Sequence, residues 1–166
     1  GGAFSQESTA TYAWRIPVDG VGGAIPLLSS NAREEKLAVD ATGRFLLFQS
    51  QTGQLVRTDI ETGASELLAR YVQAMTVLDR AQVCYTVLDS TNGTGNPQAY
   101  HRPLDDSGPG SLIDLEPGQG AVELASSPDG KRLIMRMGTY LSARSIEYHG
   151  YQEYAIADDG TPQLSD

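Results

Sequence analysis

Few side chains in this sequence have the chemistry of a nucleophile, a base or a metal ligand, and they lie far apart. The chain has one cysteine, Cys84, and two histidines, His101 and His149. Neither histidine is part of a metal-ligand or catalytic-triad pattern, and no Gly-x-Ser-x-Gly elbow, P-loop or Cys-x-x-Cys pair is present. The sequence therefore predicts no catalytic residue, no metal site and no cofactor. It favours a non-enzyme and leaves an enzymatic role open.

The other residues with reactive side chains are better explained by structure. Cys84 lies in an apolar, β-branched run at 82–88 that is typical of a buried strand, and a lone cysteine excludes an intrachain disulfide. The paired carboxylates at 105–106 and 158–159 fall at turns, where we interpret them as solvated residues. The stretch 89–96 is polar and glycine-rich, but it has one carboxylate and lacks EF-hand spacing, so we expect a flexible loop.

The charge balance limits the classes of partner. The chain has 12 Lys and Arg against 21 Asp and Glu, which gives a net charge of −9. Nucleic acid and anionic membranes have the same sign of charge, so both would be repelled. The longest apolar runs, such as 45–48, are far shorter than the ~20 residues of a membrane span, and no signal segment is visible. We predict no nucleic-acid partner and no membrane insertion.

Glycine-containing turns recur along the chain at a regular interval. They lie at Gly20, Gly63, Gly108 and Gly160, roughly 40 to 50 residues apart. Several short strands within such a period are typical of β-propeller blades, which are four-stranded antiparallel meanders. The sequence therefore predicts a single all-β, β-propeller-like domain over 1–166, with about three and a half to four blades. The approximate units are 3–30, 35–70, 72–117 and 120–166.

The predicted strands of each unit are lettered A to D from the inside outward. Their positions follow from alternating apolar residues between turn signals, as where Leu133, Met135 and Met137 alternate with their neighbours. The second unit has strands 37–39, 44–49, 55–60 and 65–68; the third has 74–78, 82–88, 98–104 and 111–115; the fourth has 122–125, 131–137, 151–157 and 162–164. The first unit is incomplete, with strands 11–18 and 24–28 and a weak one at 3–8. The chain is therefore a partial propeller, a minimal four-bladed ring, or one subunit of an assembled ring.

Two segments have an alternative helical interpretation. Apolar residues within 65–75 match helical spacing, and a helix there would break the repeat. Residues 31–36 could form one helical turn, with Glu34 three residues after Asn31. We favour strands at 65–75 because the segment falls where strands D and A should lie. A sandwich or α+β domain with accidental periodicity is the remaining alternative.

One turn links the repeat to a known family. Residues Ser127-Pro128-Asp129-Gly130-Lys131 resemble the repeated turn of TolB-type propellers, a group similar to the propeller domains of tricorn and dipeptidyl peptidases. The stretches 16–20 and 59–63 look like strand C endings of such blades. The equivalent turn at 40–43 lacks the proline, and the one at 79–81 lacks both proline and glycine. The resemblance implies a propeller fold, a habit of binding other proteins or a partner domain, and a periplasmic or extracellular location. It transfers no catalytic residue.

The two longest connections between strands B and C are 89–97 and 138–150. Because strands of a meander alternate in direction, both should leave the same rim and lie side by side. Aromatic side chains and Arg are the usual anchors of protein interfaces. We therefore predict that partner-binding residues lie in and beside these connections: Asn92, Tyr140, Arg144, Tyr148, His149 and Tyr151. The alternative is that 138–150 extends the hairpin and packs on its own scaffold.

The function that these observations favour is a non-catalytic β-propeller module that acts as a protein-binding scaffold. The alternative is the propeller portion of a serine peptidase of the dipeptidyl or prolyl-oligopeptidase type, without its hydrolase domain. The predicted partner is another protein or the remainder of a larger propeller, and a homo-oligomer is a further possibility.

Overall fold

The regular structure of the described residues is entirely β. A computed structural model describes residues 11–15, 25–30, 34–90 and 93–165, and contains no helix in them, hence none long and apolar enough to cross a membrane. The strands are β1 (Thr11–Arg15), β2 (Ile25–Ser30), β3 (Glu34–Val39), β4 (Phe45–Ser50), β5 (Leu55–Asp59), β6 (Ser65–Ala69), β7 (Val72–Leu78), β8 (Gln82–Val87), β9 (Gln98–Pro103), β10 (Ser111–Ile113), β11 (Ala121–Ser126), β12 (Arg132–Ser142), β13 (Ser145–Ile156) and β14 (Pro162–Leu164).

These strands form three antiparallel meanders of four strands each, which we call sheet 2 (β3–β6), sheet 3 (β7–β10) and sheet 4 (β11–β14). β1 and β2 form a separate two-stranded hairpin. In each sheet the strand order follows the chain order, as in a propeller blade. The predicted all-β, propeller-like fold is therefore confirmed, and within the described residues the sheets form an open arc, as in part of a propeller.

The helical alternatives are wrong wherever they fall on described residues. β6 and β7 occupy the segment 65–75 and are separated by a tight turn at Arg70 and Tyr71. β3 begins at Glu34, so the described part of 31–36 is also a strand. In both places, pairing with neighbouring strands outweighs the helical spacing of apolar residues. Residues 3–8 and 16–18, predicted as strand, lie outside the described residues.

The inner strands of successive sheets lie next to one another. Thr76 Oγ on β7 is 2.9 Å from Ser126 Oγ on β11. On the other side of β7, the Lys36 ammonium on β3 donates a hydrogen bond to the Met75 carbonyl. The first strands of the three sheets, β3, β7 and β11, therefore lie together on the inside, and the last strands, β6, β10 and β14, lie on the outside.

Two apolar layers fill the spaces between the sheets. The side chains of β8 supply both layers, because successive residues of a strand point to opposite faces. One layer joins sheets 2 and 3 and contains Phe45, Leu47, Leu55, Val72, Met75, Val83, Tyr85 and Leu104. The other joins sheets 3 and 4 and contains Leu78, Cys84, Ala99, Ile113, Ala121, Leu124, Leu133, Met135, Met137 and Tyr154. Burial raises the pKa of the Cys84 thiol far above its ordinary value, so Cys84 acts as the small buried hydrophobe that the sequence predicts.

An ion-pair network ties the outer parts of sheets 2 and 3 together. Arg102 on β9 has only 4% of its side chain exposed, and its Nη2 lies 3.0 Å from Glu66 Oε1 on β6. Glu66 also pairs with Arg57 on β5. Arg102 further donates to the Asp106 carbonyl at 3.0 Å. Glu66 is thus the carboxylate that balances a buried guanidinium.

Replacement of Glu66 by Ala should therefore destabilise the fold by about 3–5 kcal/mol, because it leaves Arg102 buried without a counter-charge. The matched control is Glu153→Ala, whose pair with Arg132 leaves 45% and 70% of the two side chains exposed. That control should cost less than about 1 kcal/mol. Urea unfolding of both variants measures the difference, and equal midpoints would contradict the role assigned to Glu66.

The turn 127–130 connects sheet 4 to sheet 3. The Asp79 amide donates to the Gly130 carbonyl at 3.2 Å. Gly130 has φ +68°, and a Cβ at this position would lie 2.3 Å from the Asp79 nitrogen. The neighbouring turn uses Arg80 and Ala81 at φ 56° and 53°, so it keeps a left-handed geometry without glycine. The turn 127–130, which resembles the TolB-type turn, therefore also forms a contact between sheets 3 and 4.

Gly130→Ala should cost about 3 kcal/mol, since it combines left-handed strain with a clash against backbone that cannot move aside. Gly43 occupies the equivalent turn of sheet 2 with φ +73° and has nothing within 4 Å of its added Cβ. Gly43→Ala should cost only the strain, about 1 kcal/mol. The comparison can be made by thermal and urea unfolding. If both variants lose the same stability, the contact between the turns contributes nothing.

Candidate functional site

The segment 138–150 is a continuation of β12 and β13 rather than a loop. The two strands stay paired from Arg132 and Ala155 to Ser142 and Ser145, beyond the predicted ends of strands B and C. The sequence pattern failed here because Gly138 interrupts the apolar alternation at a register irregularity. The segment therefore extends the hairpin, and the prediction that its residues bind a partner stays a prediction.

The two long connections lie side by side, as the topology predicted. Gly95 and Tyr140 exchange two backbone hydrogen bonds, each of 2.8 Å. Thr139 Oγ1 donates to Asn96 Oδ1 at 2.7 Å. Gly138 donates to the Gly120 carbonyl just below this point, so the connection of sheet 3 continues the pairing with β12 beyond the start of β11. This end of the predicted flexible loop is therefore held against the hairpin.

One face of the hairpin presents a row of aromatic and apolar side chains. The pairs Arg136 with Tyr151 and Tyr140 with Ile146 place four of them on the same face, because side chains alternate along each strand. Tyr148 is on this face too. Opposite Met137 and Gly138, β13 contains one extra residue, which shifts its alternation by one position. We call this row the aromatic strip; it consists of Arg136, Tyr140, Ile146, Tyr148 and Tyr151.

Arg136 holds the lower half of the aromatic strip in place. Its guanidinium carbon lies 3.5 Å from the ring centre of Tyr148 and 5.7 Å from that of Tyr151. Arg136 Nη1 is also 3.3 Å from each carboxylate oxygen of Glu123, and the Tyr148 hydroxyl donates to Glu123 at 3.3 Å. Tyr148 remains 44% exposed and Tyr151 69% exposed. Tyr148 is thus held at the surface by two contacts, and Tyr151 lies exposed beside it.

Not all predicted partner-binding residues belong to the aromatic strip. His149 is the extra residue, and its Nε2 lies 3.1 Å from the Thr139 hydroxyl. Thr139 in turn contacts Asn96, so His149 belongs to the junction between the two connections rather than to the strip. Asn92 lies outside the described residues. Arg144 forms the hairpin turn with Ala143.

A cleft of about 430 Å³ lies between the hairpin tip, the turn 51–53 of sheet 2 and the start of β7 in sheet 3. We call it the rim cleft. A second cavity of about 400 Å³ continues from it towards the inner strands and shares Gln73, Tyr140 and Ile146 with it. Tyr140 and Ile146 therefore join the aromatic strip to both cavities. The rim cleft is lined by Gln51, Thr52, Gly53, Tyr71, Val72, Gln73, Tyr140, Ala143, Arg144 and Ile146.

Tyr71, like Arg136 and Ile146, belongs to this site but is not among the residues that the sequence predicted. It has φ +59° and is 55% exposed. Its carbonyl accepts hydrogen bonds from the Leu88 amide at 3.0 Å and from Gln73 Nε2 at 3.1 Å. A left-handed backbone costs about 1–2 kcal/mol for a residue other than glycine, and such strain concentrates at functional sites.

Tyr71→Asn should leave the free energy of unfolding unchanged or raise it by up to about 1 kcal/mol, because Asn tolerates the left-handed region. Tyr151→Asn is the control, since Tyr151 is also exposed but lies in a regular strand, where Asn should cost about 1 kcal/mol. Urea unfolding compares the two. A loss of stability in Tyr71→Asn as large as in the control would show that Tyr71 is kept for stability.

The fold and site define the chain as a partial β-propeller with an extended rim hairpin. No protein-family model matches the sequence, and no curated protein matches it. Among solved structures, it is similar to Porphyromonas gingivalis dipeptidyl peptidase 4, with a TM-score of 0.56, 8% identity and coverage of 98% of this chain and 29% of that one.

A TolB from Agrobacterium tumefaciens gives a TM-score of 0.51 at 17% identity, with coverage of 86% of this chain and 49% of that one. KlAtg21, solved in complex with the coiled-coil of AgAtg16, gives 0.54 at 12% identity, with coverage of 82% and 42%. The chain thus spans less than half the length of each of these proteins. The likeness establishes the β-propeller fold that the turn at 127–130 predicted.

Proposed function

We propose that this chain is a β-propeller module that binds other proteins through the rim cleft and the aromatic strip. The observation that supports this most is the exposed pair Tyr148 and Tyr151 on the same hairpin face that enters the cleft. Tyr148 is stacked on Arg136 and hydrogen-bonded to Glu123. Tyrosine and arginine are enriched among the residues that contribute most to protein interfaces. Side chains that are already ordered lose less entropy on binding, which favours affinity.

The strip face of sheet 4 differs from the equivalent face of sheet 2. In β4 that face consists of Phe45 and Leu47, which pack against sheet 3. In β12 the corresponding positions are Arg132 and Ile134, and Arg136 follows on the same face. Both arginines pair with glutamates on neighbouring strands. Packing a further blade on this face would bury two ion pairs, which is costly. This contrast supports a surface that stays accessible to a partner.

The remaining predictions about function, partners and location still rest on the sequence alone. The propeller portion of a serine peptidase remains the alternative, because a likeness at 8% identity concerns the fold alone. A larger propeller, a second copy of the chain and a periplasmic or extracellular location also stay predictions. KlAtg21 is a propeller-fold neighbour solved with a protein partner, and this supports the proposed class of function by analogy.

Selection of random peptides displayed on phage tests the proposal. Peptides enriched on the unmodified protein should lose binding to the triple variant Tyr71→Asn, Tyr140→Ala, Arg144→Ala. Binding should weaken by about thirtyfold or more, since removal of hot-spot residues typically costs about 2 kcal/mol or more.

The matched control is the double variant Leu112→Ala, Leu164→Ala, which removes exposed apolar side chains from the outer strands β10 and β14. It should bind the selected peptides as the unmodified protein does. Failure to enrich any peptide, or equal losses in the triple variant and the control, would contradict the proposal. Circular dichroism of each variant verifies that the β structure is retained.

A further inference from the structure

We infer that the segment accepted by the rim cleft is an acidic peptide in an extended conformation. This inference rests on the proposed function and adds the chemistry of the partner to it. It follows from the charge of the residues that line the cleft, from the second cavity that continues it and from the groups available for hydrogen bonding.

Arg144 is the source of charge in the rim cleft. It is the only residue with a formal charge among the ten that line the cleft. Among the described residues, no carboxylate lies within ion-pairing distance of its guanidinium, whereas Arg132 and Arg136 on the same hairpin each pair with a glutamate. A guanidinium can bind a carboxylate with two parallel hydrogen bonds. In a chain of net charge −9, the cleft is therefore a local site for a negative group.

The adjoining cavity extends this preference inward. It is lined by Lys36 and Glu123, among other residues. Glu123 is held by Arg136 at 3.3 Å, so its charge is compensated. Lys36 donates one hydrogen bond to the Met75 carbonyl, and an ammonium has three donors. A ligand that runs from Arg144 towards Lys36 would therefore meet cationic groups at both ends.

The shape favours an extended chain over a compact ligand. The rim cleft and the inner cavity share Gln73, Tyr140 and Ile146, so they form one elongated groove. Gln51 and Gln73 line it with amide groups, which can both donate to and accept from a peptide main chain. Tyr71 and Tyr140 offer rings on which an apolar or aromatic residue of the peptide can pack. A peptide that fits this groove would therefore alternate acidic residues with aromatic or aliphatic ones.

Three fluorescein-labelled probes test this inference: acetyl-Gly-Glu-Tyr-Glu-Leu-Glu-Tyr-Glu-Gly and its counterparts with Gln or Lys at every Glu. By fluorescence anisotropy at low salt, the Glu probe should bind about tenfold more tightly than the Gln probe, which corresponds to one charge-assisted contact. The Lys probe should bind least. The advantage of the Glu probe should shrink at about 0.5 M salt, because the charges are partly exposed and screened.

Arg144→Ala should abolish the preference for Glu over Gln, and Arg144→Lys should retain part of it. Arg132→Ala is the matched control, since Arg132 lies on the same sheet outside the groove and 70% of its side chain is exposed. It should leave the preference unchanged. Loss of the preference in the control as well would mean that the overall charge of the chain, rather than Arg144, sets it, and would overturn the inference.

The outcomes separate this inference from the proposed function. Equal binding of the Glu and Gln probes, with loss of both in the triple variant, would overturn the acidic preference and leave a protein-binding rim. If no probe binds, the charge of the phage-selected peptides decides: an excess of Asp and Glu supports the inference, and neutral or basic peptides overturn it. If phage selection yields no peptide, the proposed function fails and the inference fails with it.

Discussion

The burial of β8 on both faces is the constraint on which the rest of the structure depends. Val83 and Tyr85 enter the layer between sheets 2 and 3, and Cys84 between them enters the layer between sheets 3 and 4. A strand buried on both faces cannot shift its register, because a shift of one residue would exchange the contents of the two layers. Sheet 3 therefore sets the positions of both its neighbours, and through sheet 4 it sets the position of the hairpin.

The hairpin acquires its position from contacts at its base and along one side. At the base, Met135 and Met137 pack against sheet 3, while Arg136 between them faces outward to Tyr148 and Tyr151. Along the side, Gly95 pairs with Tyr140 through backbone hydrogen bonds that need no particular side chain. The alternation that builds the core thus also arranges the aromatic strip, so fold and candidate site share one periodicity.

Local turn chemistry and alternating apolar residues were enough to predict the sheets. The turn at Gly43 and the one at Gly130 gave the phase of two blades, and the segment 79–81 takes the same place without glycine because Arg80 and Ala81 accept positive φ. The length of β12 and β13 could not be predicted, because Gly138 and Gly150 resemble the ends of strands. Tyr71 could not be predicted either. Its left-handed backbone is accompanied by hydrogen bonds from Leu88 and Gln73 to its carbonyl, and these form only once the chain has folded.

Hydrogen exchange with and without a phage-selected peptide tests the central claim most directly, which is that the hairpin and the cleft beneath it form one binding surface. The account predicts slower exchange at 138–150, at the turn 51–53 and at Tyr71 when peptide is bound. Exchange at the opposite rim, in the turns 79–81 and 127–130, should not change. Protection confined to that opposite rim or to the outer strands β10 and β14 would contradict the account.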